Sequence, residues 1–264
     1  MSGPELAAYL ATGLLSGLMA GLLGLGGGIV VVPALMWLFA KLGFASAWVS
    51  HLAVGTSLAT IVGTGSASVY AHHARGAVRW DLFRRLAPWI VLGAWIGSAL
   101  AAVLAGDWMR RLFAVFLVYV GMRMLWPITP GESSHAPGRM VTRLVGAGIG
   151  SISALVGIGG GTLTVPFLAR SGVDMRGAVA TASACGVPIA LAGALGFVAT
   201  GWGQAGLPAG STGFVFWPAV AGILTASIPS APLGARLAHA LPLPALRRIF
   251  AVLVFLVAGK LLVG

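Results

Sequence analysis

Apolar stretches of helical length follow one another along the chain almost without pause, separated by short runs of glycine, proline and charge. In the first half they read Leu6–Leu23, Pro33–Leu42, Ala47–Tyr70, Leu82–Leu104 and Leu112–Trp126. In the second they read Val141–Val156, Pro166–Ala169, Ala178–Thr200, Gly213–Leu237 and Leu246–Leu262. Most approach the ~20 residues that a helix needs to cross a bilayer core. The pattern predicts an all-α polytopic membrane protein with about eight full spans plus short half-helices. A barrel would instead alternate apolar and polar positions over ~10-residue strands. The stretch "PITPGESSHAPGR" divides the chain and reads as a surface connection. Residues 1–126 are then a first transmembrane repeat, 127–140 a cytoplasmic linker and 141–264 a second repeat.

Two places break the pattern in the same way. "GLLGLGGGIVVVPAL" runs from Gly21 to Leu35, and "ALVGIGGGTLTVPFL" from Ala154 to Leu168. Aligned on the glycines, Gly24, Gly26 to Gly28, Val32 and Pro33 recur as Gly157, Gly159 to Gly161, Val165 and Pro166. The likeness continues: "GAVRW" at Gly76 matches "GFVFW" at Gly213, and "RRLFAVFLV" at Arg110 matches "RRIFAVLVF" at Arg247. Proline clashes with the carbonyl four residues back and suits the first turn of a new helix. Pro33 and Pro166 are therefore expected at the breaks, each opening a short helix after an extended glycine-rich crossing. Non-helical backbone at membrane depth is tolerated where protein buries it or where it lines a polar cavity. Broken segments at matching positions of two repeats point to a transporter's substrate site. Their free N–H groups and helix N-termini favour an anion.

Five segments per half is an odd number, so the halves are expected to run through the membrane in opposite directions. Charge supports this. With alternating loops, twelve of the 16 basic residues fall on one side, among them Arg75, Arg79, Arg84, Arg85, Arg170 and Arg176. Lys41, Arg110, Arg111 and Lys260 fall on the other. The positive-inside rule assigns the basic side to the cytoplasm and places both termini outside.

Composition sharpens the class. The chain is 58% hydrophobic and 8% charged, against about a quarter charged in soluble domains. Its net charge of +11 reflects topology rather than a nucleic-acid partner. The single cysteine, Cys185, excludes an internal disulfide, and no cleavable signal peptide is apparent. The acids Glu5, Asp81, Asp107, Glu132 and Asp174 all fall in loops, near segment ends or in the linker. No carboxylate of the kind that couples protons in many symporters lies mid-membrane.

The duplicated "GLGGGxxxVP" and "GIGGGxxxVP" signatures, with "AVGTSLATI" and "AVATASA" after them, resemble the sulfite exporter TauE/SafE family of membrane transporters. The resemblance covers essentially the whole chain. It implies a permease for small sulfur-containing anions such as sulfite, thiosulfate or organosulfonates, in the cell membrane. The expected site is main-chain N–H around Gly26, Gly27, Gly28, Gly159, Gly160 and Gly161, supported by Thr56, Ser57, Thr181 and Ser183, with His51 a further candidate. The halves differ in one respect, because Gly55 and Ser57 become Ala180 and Ala182. An anion channel of similar architecture is the alternative. An intramembrane hydrolase using Ser66 finds no well-placed histidine partner in the second half. No catalytic residue, metal or cofactor is expected. The partners are the small anion and the lipid bilayer, and homodimerisation is left open.

Overall fold

The computed structural model describes residues 3–23, 27–126, 138–240 and 243–263. Helices α1 (Gly3–Leu23), α2 (Gly28–Lys41), α3 (Ser46–His73), α4 (Trp80–Val103) and α5 (Gly106–Leu125) form the first half. The second contains α6 (Arg139–Val156), α7 (Gly161–Arg170), α8 (Met175–Thr200), α9 (Trp217–Ala240) and α10 (Leu243–Val263). A small antiparallel hairpin, β1 (Ser211–Thr212) and β2 (Val215–Phe216), leads into α9. Residues 127–137 of the linker, and with them Glu132, lie outside the described residues. α6 begins at Arg139, so its first two residues come from the range read as linker.

Among the described residues, α3, α4, α6 and α8 are long and apolar enough to cross a membrane. Their outward faces stay apolar: Leu92, Ile96, Leu100, Leu191 and Leu195 are all exposed. A surface of this kind is stable in lipid, where leaving water provides no drive to bury it.

α3 and α8 form the centre. Every residue of α3 from Ser50 to Ile61 is buried. The two helices pack together and run antiparallel. The start of α3 lies beside the loop that follows α8, where Trp48 Nε1 donates to the Ala205 carbonyl at 3.3 Å. The start of α8 lies beside the loop that follows α3, where the Arg79 N–H donates to Thr181 Oγ1 at 3.0 Å.

Around this pair the halves exchange helices. α1 packs on α9, α4 on α6 and α5 on α10. Glycine brings the exchanged backbones together, as small residues do in membranes. A Cβ added at Gly17 would fall on the Ser227 carbonyl, and one at Gly234 on the Leu18 carbonyl. Gly150 meets the Ile90 carbonyl and Gly97 the Ser151 carbonyl in the same way. In the alignment of the halves, Gly17 corresponds to Gly150 and Gly97 to Gly234, so the α1–α9 contacts recur between α6 and α4.

The short helices depart from expectation. They begin at Gly28 and Gly161, and Pro33 and Pro166 sit inside them rather than at the breaks. At the second break the turn at Gly157 and Gly160 redirects the chain in time for α7 to begin at the third glycine, and α2 likewise begins at Gly28. Each proline then deletes one bond in the second turn, leaving the Ile29 and Thr162 carbonyls without their intrahelical donors.

Candidate functional site

At the second break, Gly157 ends α6 in the left-handed region with φ +76°. Its N–H and that of Ile158 both donate to the Ser153 carbonyl, at 2.9 and 3.0 Å. Gly160, at φ +29°, turns the chain back, and its carbonyl accepts the Leu163 and Thr164 N–H groups at 3.1 and 2.7 Å. Residues 157–162 are all buried. The N–H groups of Gly159 and Thr162 have no partner among the described residues.

Three hydroxyls flank this turn. Ser153 Oγ lies in the last turn of α6, and Thr162 Oγ1 and Thr164 Oγ1 at the start of α7. Ser153 and Thr164 are fully buried and Thr162 is 5% exposed, yet none of the three hydroxyls has a hydrogen-bond partner among the described residues. An unmade bond at a buried hydroxyl costs about 1–3 kcal/mol. Native proteins rarely keep such groups unless something satisfies them. These hydroxyls and free N–H groups stand at the positive end of the α7 dipole, a donor set that fits an anion.

The described residues of the first break carry different side chains at the matched positions. The positions matching Ser153, Thr162 and Thr164 are Ala20, Ile29 and Val31, and Ile29 and Val31 belong to the apolar core. Gly26 lies outside the described residues. Gly27 and Gly28 are buried. A Cβ at Gly27 would fall on Ser16 Oγ, and one at Gly28 would come within 2.5 Å of the Gly157 carbonyl oxygen and 3.0 Å of Ile158 Cα. The two breaks therefore meet, with bare backbone against bare backbone.

Side chains expected at the anion have other partners. Thr56 Oγ1 accepts the Phe216 N–H at 3.0 Å, matching the bond from Arg79 to Thr181. Ser57 donates to the Gly157 carbonyl at 2.8 Å, tying α3 to the second break. Ser183 bonds back to the Val179 carbonyl in its own helix at 3.0 Å. His51 Nε2 pairs with the Ala101 carbonyl at 3.0 Å, and its ring packs against Trp48 and Phe214. Of the expected residues, Ser57 and the second-motif glycines come together at the break. Ser153, Thr162 and Thr164 were not among the residues expected there. The signal for them was the difference between "GGGIVVVP" and "GGGTLTVP", which alignment on the shared glycines and proline passes over.

The family model described as sulfite exporter TauE/SafE matches residues 9–261. The chain belongs to this family. Among its relatives is a "Probable membrane transporter protein" of Haemophilus influenzae, 34% identical over 250 residues that cover 94% of this chain and 95% of that one. YdhB of Bacillus subtilis, also named a probable membrane transporter protein, is 23% identical over 86% of this chain and 88% of its own. MamO of Magnetospirillum gryphiswaldense, named likewise, is 26% identical; the match covers 99% of this chain but only 46% of MamO. This TauE/SafE chain is thus a membrane transporter by family, and the Haemophilus likeness extends over both glycine breaks.

Proposed function

We propose that this TauE/SafE protein is a cell-membrane permease for a small sulfur-containing anion, such as sulfite, thiosulfate or an organosulfonate. In this account the anion binds at the second glycine break, against the N-terminus of α7, and the protein exposes it to each face in turn. The observation that carries the proposal is the set of three buried hydroxyls at that break that have no partner among the described residues. Main-chain donors at Gly159 and Thr162 add to them, and no arginine or lysine is needed. A hydrogen bond to a charged group contributes about 1.5–3 kcal/mol, so a few of them hold a small anion reversibly. The family's printed description motivates the sulfur anion.

Several features support alternating access between inverted halves. The helix exchange recurs between α1–α9 and α4–α6. α1, α5, α9 and α10, at 20 to 24 residues, are long enough to add four spans to the four strongest. The charge tally puts the termini outside and the linker inside. Export of an anion would then run with the membrane potential, by ~2.3 kcal/mol per charge per 100 mV. Uptake into proteoliposomes of sulfite, thiosulfate, sulfate, sulfoacetate, taurine and a carboxylate control tests the proposal. Saturable flux of a sulfur anion, accelerated by the same anion on the far side, is expected. Flux that never saturates and shows no such acceleration would mean a channel.

A further inference from the structure

The two threonines read at first as anion ligands occupy matched places in a different device. Thr56 in α3 and Thr181 in α8 are both fully buried, and each accepts one backbone N–H at 3.0 Å. The donors are Phe216 and Arg79, the residues immediately before α9 and α4. They are also the matched positions of "GFVFW" and "GAVRW". Each bond therefore crosses from one half to the other, and the pair is reciprocal. Thr56 of the first half holds the entry to α9 of the second, and Thr181 of the second holds the entry to α4 of the first.

The two bonds stand at opposite ends of the central pair. Thr56 lies in the third turn of α3 and Thr181 in the second turn of the antiparallel α8. From Thr56 to the end of α3 at His73 is ~25 Å at 1.5 Å per residue. Each bond holds the segment that enters a helix of the opposite half. At the α8–α9 end, Phe216 packs over α3 and forms the floor of a surface depression of about 270 Å³, shared with Phe44, Pro208 and Pro218. Gly55 lets the Phe214 carbonyl rest directly on α3 there. At the other end Val78 is buried against Ala180 and Ala184 of α8. With both bonds made, the residues of the second break are buried.

We infer that Thr56 and Thr181 are paired latches, each holding one mouth of the permease shut by accepting the N–H of the segment that enters the opposite half's helix. This rests on the alternating-access account above. Opening one mouth breaks its bond and leaves the other intact, so the two hydroxyls position the gates and do not bind the anion. Thr→Val keeps the side-chain shape and removes the acceptor, leaving a buried N–H unpaired only while that mouth is closed.

The test uses repeat-matched reporter cysteines, Ala59→Cys and Ala184→Cys, in a Cys185→Ala background. The purified protein sits in nanodiscs with both faces open to a polar maleimide. Thr56→Val should raise labelling at Ala59→Cys about tenfold and leave Ala184→Cys unchanged, while Thr181→Val should do the reverse. Thr56→Ser and Thr181→Ser retain the acceptor and should label as the parent does. Equal acceleration of both reporters by either valine variant, or no acceleration by either, would overturn the latch. A shift in the serine variants as large as in the valine variants would also overturn it, because methyl packing would then hold the mouth. Labelling needs no substrate. Anion binding measured on the same samples separates failure of the latch from failure of the permease account.

Discussion

The two glycine breaks share a sequence pattern and differ in chemistry. In both, a short helix begins at the third of three glycines, and the described residues of both are buried. The first is followed by isoleucine and valine, which join the apolar core. The second is followed by two threonines whose hydroxyls, like that of Ser153, have no partner among the described residues. Where the breaks touch, Gly28 lies on the Gly157–Ile158 backbone. In the proposed account the first break serves as a packing surface and the second, with its unpartnered hydroxyls, as the binding surface.

The largest effect is expected at their contact. A side chain at Gly28 would meet backbone, at 2.5 Å from a carbonyl oxygen, and backbone cannot rotate aside. Gly28→Val should therefore reduce transport at least 100-fold, by ~3 kcal/mol or more of overpacking, measured per molecule of protein reaching the membrane. Gly160→Ala should come next. It forces a Cβ into φ +29° and within 2.5 Å of Ile189 Cδ1, the mobile end of a side chain, so a fall of about tenfold is expected. Gly27→Ala, at an ordinary φ of −72° and meeting chiefly the Ser16 side chain, should be milder than Gly160→Ala. The reverse order would make the first break the binding surface.

A smaller effect separates function from stability. Thr164→Val should weaken anion binding about tenfold while raising the thermal midpoint of the ligand-free protein, because it removes an unpartnered buried hydroxyl. A packing threonine would change neither in this paired way. Val31→Thr in the first break should leave affinity unchanged. The smallest effect belongs to Lys41→Gln. Lys41 lies over the Trp37 ring at 4.0 Å, at the far end of α2, and transport should stay within about threefold.

Much of this was legible in the sequence. The five-plus-five order of segments follows from apolar runs and loop punctuation, and the helices fall close to the expected spans because membrane length leaves little freedom. The breaks were legible because a triple glycine before a proline has few other uses within an apolar chain. The prolines were misplaced because propensity puts proline in a first turn, whereas each helix starts five residues earlier, at the third glycine. Thr56 and Thr181 were singled out for their matched positions, yet a repeat-matched hydroxyl looks the same whether it faces a ligand or a backbone N–H. Only the fold brings Phe216 and Arg79 to them. Ser153, Thr162 and Thr164 escaped because repeats are recognised by identity, and the proposed site lies where the copies differ.

The central claim is that the anion sits at the second break, on side-chain and main-chain dipoles. Its most direct test is equilibrium binding of the same anion panel to purified wild type and to the Thr162→Val/Thr164→Val double variant in nanodiscs. The account predicts that whichever anion the wild type holds most tightly is held at least about 30-fold more weakly by the double variant, with an unfolding midpoint no lower than wild type. Wild-type affinity in a folded double variant would contradict it and place the anion elsewhere.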